Sequence, residues 1–266
     1  MTVRVERDGP VTTVVLSRPE ARNAVDTEHA QALVDAFTAF EADPEQSVAV
    51  LWGEGGTFCA GGDLKEVQRT GAELWLSDID FPDDDTAPAP NGPMGPSRLE
   101  LGKPVIAAVS GAAVAGGMEL AMWCDIRVAE QDAFFGVYCR RWGIPFLDGG
   151  TVRLPRLVGQ GRAAEILLTG RTVPASEALS IGLAEKVVPT GTARAAAEAL
   201  AQEIARFPQD CVRADLQSLH GQYGKPVRQA LREEFVSGLA AMADEGVAGA
   251  GRFVGGRGRH GDYARI

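Results

Sequence analysis

The chain has 266 residues, 45% of them hydrophobic and 23% charged, with a formal net charge of −10, the profile of a globular protein long enough to bury a sizeable core. The acidic balance opposes general affinity for nucleic acid or an anionic membrane, so an anionic ligand needs a local basic cluster. No run approaches the roughly 20 apolar residues that span a bilayer, the N-terminus resembles neither a signal nor a transit peptide, and Cys59, Cys124, Cys139 and Cys211 form no CxxC pair, which disfavours zinc ligation and fits a reducing, cytoplasmic setting.

Val3 and Val5, then Val11, Thr13 and Val15, alternate about Asp8-Gly9, predicting an opening β-hairpin. Pro19 ends the second strand, and Asp26 can cap a helix with Ala30, Leu33, Val34 and Phe37 at helical spacing. Arg22 lies between them, where a solvated surface arginine is the plain account. A strand over Val48–Gly53 breaks into the small-residue loop GTFCAGGDL before a helix from Leu64 to Leu76, interrupted at Gly71. From Ser77 to Pro96 the abundance of Pro, Gly and acid predicts a loop, a mobile wall or lid, in which Asp83–Asp85 form a solvated acidic run rather than a metal site.

The unbroken apolar run Val105–Val109 suits a strand buried on both faces. A small-residue turn follows and enters a helix through Gly116 and Gly117, where the first N–H groups lack intrahelical partners and an anion is welcome. Glu119, in the first turn, sets a carboxylate near the Gly116 amide, and the loop at Ala60 suggests a second, converging N–H donor. GAAVAGG lacks the G-x-G-x-x-G spacing of a dinucleotide fingerprint. Asp148, before Gly-Gly-Thr, is placed as a helix N-cap. Strands at Ile126–Ala129 and Ala184–Val188 and short helices at Gly161–Leu168 and Ser176–Ile181 follow; from Thr192 the pattern is helical, over Ala195–Phe207, Cys211–His220 and Val227–Met242, ending in a flexible, glycine-rich basic tail. Strand–helix alternation over 47–150 signals an α/β protein of βα-type repeats, with the site in residues 1–191 and a helical region in 192–266.

In this order, RPEARNAVD, GTFCAGGDL, KPVIAAVSGAAVAGGMELAMWCDIRVA and DGGTVRLPRLVG resemble the crotonase superfamily, the enoyl-CoA hydratase/isomerase family. The resemblance implies a spiral of ββα repeats with a C-terminal helical region that assembles trimers, often stacked as hexamers. It further implies that the backbone N–H groups of Ala60 and Gly116 form an oxyanion hole for the thioester carbonyl of an acyl-CoA, with Glu119 as one catalytic glutamate. Arg22, Ala60, Asp63 and Leu64 would touch the CoA, and Arg257 or Arg259 a CoA phosphate. No metal or redox cofactor is implied; coenzyme A enters as part of the substrate.

The sequence departs from the hydratase pattern at Cys139, which stands where a second glutamate belongs and reads as a small apolar core residue rather than a catalytic thiol. Asp148 stands where dienoyl-CoA isomerases, naphthoate synthases and haloaroyl-CoA dehalogenases place a functional aspartate. If both Glu119 and Asp148 face the acyl pocket, a two-carboxylate site is restored. The expected reaction is hydration of a 2-enoyl-CoA. Double-bond isomerisation or other enolate chemistry through the same two carboxylates is one alternative, and a noncatalytic acyl-CoA-binding protein is another.

Overall fold

The computed structural model describes residues 2–77, 79–84 and 87–258. Strands β1 (Val3–Asp8) and β2 (Val11–Leu16) form the expected antiparallel hairpin, with Val3 opposite Leu16 and Gly9 turning the chain at φ 56°. Helix α1 (Thr27–Ala42) starts where Asp26 accepts a hydrogen bond from the His29 N–H, and it buries Leu33, Phe37 and Phe40. Strand β3 (Val48–Gly53) lies parallel to β2. The single helix expected after it is two, α2 (Leu64–Thr70) and α3 (Ala72–Trp75), because Gly71 leaves helical geometry at φ 79°.

The middle of the chain repeats one device. Strand β4 (Val105–Val109) is followed by β5 (Ala112–Val114) and helix α4 (Gly116–Trp123); β6 (Ile126–Glu130) is followed by β7 (Phe134–Gly136) and helix α5 (Gly150–Val158). After α6 (Gln160–Thr169), β8 (Thr172–Pro174) and α7 (Ala175–Ile181), the strand β9 (Lys186–Val188) completes the larger sheet. That sheet runs β1-β2-β3-β4-β6-β9, parallel beyond the opening hairpin, and the smaller one runs β5-β7-β8. Each turn thus gives one strand to each sheet and a helix outside, and advances by one strand position, which is the ββα winding expected. The three-residue strands β5, β7 and β8 are too short for sequence periodicity to reveal.

Four helices close the chain: α8 (Ala193–Ala205), α9 (Gln209–Gly221), α10 (Val227–Ala241) and α11 (Val247–Val254). The alanines of α8, Ala193, Ala197 and Ala201, recur every four residues and pack on Val11, Val48, Val50, Ile106, Ala108 and Val128, one face of the larger sheet. The opposite face packs against α1 and α4. The core therefore extends past residue 191, since α8 covers half of it. Helical order also reaches Val254, into the glycine-rich stretch expected to be flexible. Phe235, Leu231, Val247 and Phe253 on α10 and α11 are exposed. Among the described residues no helix is long and apolar enough to cross a membrane.

Candidate active site

Where β5 gives way to α4, Ala115 takes φ 52°, ψ −130°, a region an L-residue enters only under strain. This turn points the first N–H groups of α4 back toward the loop after β3. A Cβ on Gly117 would run into the Cys59 carbonyl, and one on Gly61 would stand 2.9 Å from the Gly116 nitrogen, so the two loops touch through their backbones. Glycine is required for that approach.

The Ala60 N–H is not available to a substrate: it donates to the Arg22 carbonyl at 3.0 Å. Arg22 and Asn23 both sit in the left-handed region, at φ 52° and 55°, which swings that carbonyl onto Ala60. The Ala60 expectation therefore fails, and the N–H of this loop left open toward the cavity is that of Gly62. Among the described residues the Gly62 and Gly116 N–H groups have no protein acceptor, and both residues line one cavity of about 170 Å³. The sequence motif locates this loop but does not say which of its amides is consumed internally.

Two carboxyl groups face the same cavity. Glu119 is buried on α4, and its Oε1 accepts the Asp148 N–H at 2.9 Å and the Gly150 N–H at 2.8 Å, capping α5 from outside. Asp148 is also buried, and its side chain does not cap that helix; Oδ1 accepts the Met94 N–H at 2.9 Å and a short hydrogen bond from the Ser97 hydroxyl. Burial, reinforced by the nearby Asp148 charge, pushes the Glu119 carboxyl up to about 8. Burial raises Asp148 as well, opposed by the Ser97 hydroxyl, the Met94 N–H and the Arg98 and Arg153 charges. Burial thus pushes both carboxyls of the cavity toward their protonated forms, and of the two Asp148 alone has a side-chain donor that opposes the shift.

Cys139 lines the cavity, but burial and the neighbouring Glu119 push its thiol up to about 11, so it is a neutral wall rather than a nucleophile. Trp75, Tyr138 and Trp142 add aromatic surface. Of the residues expected to touch CoA, Leu64 lines the cavity and is exposed. Arg22 is exposed at its loop. The Asp63 carboxylate is turned into the protein, where it caps α2 through the Lys65 N–H at 2.9 Å and meets Arg18 at 2.8 Å. Arg257 is exposed just beyond α11, and Arg259 lies outside the described residues.

Several contributors have no sequence signature. Met94 and Ser97 come from the end of the 77–96 loop and the turn after it, which is braced to the site by Arg98 reaching the Ile79 and Leu147 carbonyls at 2.7 and 3.2 Å. Asp83 and Asp84 are exposed, and Asp85 lies outside the described residues. Among the described residues no group of three or more His, Cys, Asp or Glu side chains is gathered as metal ligands.

A family model described as enoyl-CoA hydratase/isomerase matches residues 6–244. The chain is 36% identical over 248 residues to an enoyl-CoA hydratase of Mycobacterium tuberculosis, covering 91% of this chain and 88% of that one. It is 36% identical over 207 residues to a mevalonyl-coenzyme A hydratase of Aspergillus fumigatus, covering 78% and 73%. The crystal structure of an enoyl-CoA hydratase from Bacillus anthracis superposes with a TM-score of 0.87 at 29% identity over 97% of both chains.

Proposed function

The chain belongs to the enoyl-CoA hydratase/isomerase family, within the crotonase superfamily, and is an acyl-CoA-processing enzyme of the hydratase type; from that premise we propose that it adds water across the 2,3 double bond of an enoyl-CoA, with Gly62 and Gly116 as oxyanion donors and Glu119 and Asp148 as the acid–base pair. The thioester oxygen is held between the two N–H groups, which gain strength as it takes on enolate charge; one such donor is typically worth roughly 3 kcal/mol in the transition state. Asp148 takes a proton from water as the water oxygen bonds to C3. Glu119 gives its proton to C2 as the enolate collapses. The sum is one water added, and a proton passed from Asp148 to Glu119 restores the starting state.

The observation that carries this reading is that two buried carboxyls face one cavity with different partners: burial raises both, Glu119 to about 8, while Asp148 alone receives the Ser97 hydroxyl and the Met94 N–H, donors that favour its anion. A general acid and a general base both need to be in their working forms near neutral pH. The relatives named above are hydratases, which supports hydration over isomerisation. A CoA contact from Arg22, Leu64 and Arg257 is part of the proposal, as are a cytoplasmic location, the absence of a cofactor, and a homotrimer or homohexamer covering the exposed apolar side chains of α10 and α11.

The test is mass spectrometry of the purified protein with trans-2-enoyl-CoAs in water and in D₂O. A gain of one water that disappears in Glu119→Gln and in Asp148→Asn is expected. Deuterium exchange at carbon without added water would replace hydration by isomerisation.

A further inference from the structure

Ser97 lies on a single turn just before β4, outside every motif that marks the site. Its hydroxyl nevertheless donates to Asp148 Oδ1, the atom that also accepts the Met94 N–H at 2.9 Å. The surrounding chain is built to keep it there. Arg153 of α5 donates to the Ser97 carbonyl at 2.8 Å and to the Asp148 carbonyl at 2.7 Å, tying the two backbones together. Arg98 holds the Leu147 carbonyl at 3.2 Å. Gly92 passes so close that a Cβ there would overlap the Ser97 hydroxyl and come within 2.5 Å of Asp148 Oδ1. Ser97 itself is fully buried.

A hydroxyl in this position has one acceptor on Asp148 and favours that group's anion, since a donor to a carboxylate loses much of its worth once the acid is protonated. Among the described residues Glu119 has no side-chain donor; backbone N–H groups serve it, those of Asp148 and Gly150 on Oε1 together with that of Leu147. Among the described residues the charges facing the pair are Arg98 and Arg153 on the Asp148 side and Arg153 on the Glu119 side, with the thiols of Cys59 and Cys139 and the Tyr138 phenol as titratable neighbours. Arg153 serves both carboxyls, so it does not separate them; Ser97 acts on one alone.

We propose that Ser97 is a positioning residue that decides which carboxyl of the pair keeps the proton, assigning Asp148 as base and Glu119 as acid. This rests on the acid–base reading given above. It makes the 91–98 segment part of the reaction's machinery: the hydroxyl does not reach the substrate, but it sets the working form of a group that does.

The experiment is the pH profile of kcat/KM for the wild type, Ser97→Ala and Gly92→Ala, with folding checked by thermal melting. In Ser97→Ala the acid limb moves to higher pH by about one unit or more, while the alkaline limb set by Glu119 stays; turnover at pH 6 falls on the order of tenfold and recovers as the pH rises. Gly92→Ala keeps the hydroxyl but displaces it, and shifts the same limb in the same direction. Loss by an equal factor at every pH, with the acid limb unmoved, would overturn the assignment and leave Ser97 a packing residue. Asp148→Asn in the same assay separates the two levels: wild-type turnover there sinks the acid–base reading itself, whereas a dead Asp148→Asn with an unshifted Ser97→Ala sinks only the role of Ser97.

Discussion

Glu119 and Asp148 are locked together through the backbone: the amide nitrogen of Asp148 donates to Oε1 of Glu119 at 2.9 Å, so the residue that carries one carboxyl fixes the other. Oε1 is engaged a second time by the Gly150 N–H at 2.8 Å, so both contacts fall on one oxygen of the carboxyl. Movement of the 147–150 turn disturbs both groups at once.

Replacement Glu119→Gln keeps an oxygen able to accept from Asp148 and Gly150, and so preserves the fold. Its amide cannot deliver an acidic proton to C2. We expect kcat to fall by about 10² to 10⁴-fold with a melting temperature near pH 7 no lower than that of the wild type, measured as hydration of a short 2-enoyl-CoA by loss of enoyl absorbance.

The pH dependence follows from the raised carboxyl. Activity that requires protonated Glu119 declines as the pH passes about 8. Stability has the same sign: a folded value raised above the ordinary 4.5 means that the folded chain holds this proton more tightly than the unfolded chain. The contribution is complete below about 4.5, erodes between 4.5 and 8 and is gone above that. Urea midpoints taken from pH 5 to 9 should fall more steeply for the wild type than for Glu119→Gln.

Gly117→Ala probes the contact between α4 and the Cys59 loop. The added methyl meets a backbone carbonyl rather than a side chain that can turn away. A loss of about 1 to 3 kcal/mol is expected from such overpacking, read by denaturant unfolding, together with reduced kcat/KM because the Gly62 and Gly116 donors are pushed apart.

Cavity size sets an expectation for the acyl group. A void of about 150 Å³ in a protein core accepts a benzene-sized molecule, and the space here is about 170 Å³ with Trp75, Tyr138 and Trp142 around it. Four- to six-carbon or ring-bearing enoyl groups should therefore show kcat/KM at least about tenfold above that of a sixteen-carbon chain. Trp142→Ala should narrow that ratio, as steady-state kinetics on a chain-length series would reveal.

The parts of the fold that periodicity governs were legible in the sequence: the hairpin around Gly9, α1 behind Asp26, and the buried strand leading to α4. The same holds for Glu119 and Gly116, because a glycine entry into a helix with a carboxylate one turn in is a local arrangement. Ala60 shows the limit. Its motif marks the right loop, yet whether its N–H is free depends on the Arg22 carbonyl, placed by two left-handed residues 37 and 38 positions earlier in the chain. Asp148 looks like a cap because capping is a local property, while its real partners, Met94 and Ser97, are 54 and 51 residues away. Asp63 errs in the other direction, its carboxylate being spent on α2 and Arg18.

Helix α8 has a consequence for how the molecule comes into being. Thr13 of β2 bonds to Glu198 of α8 at 2.9 Å across 185 residues of chain, and such distant closures make folding slow. During synthesis the valine-rich face of the larger sheet stays bare until α8 emerges, although the amide donors and both carboxyls of the cavity are already made. A chain ending before Ala193 therefore keeps the residues of the cavity but leaves that face of the sheet uncovered, and is expected to aggregate.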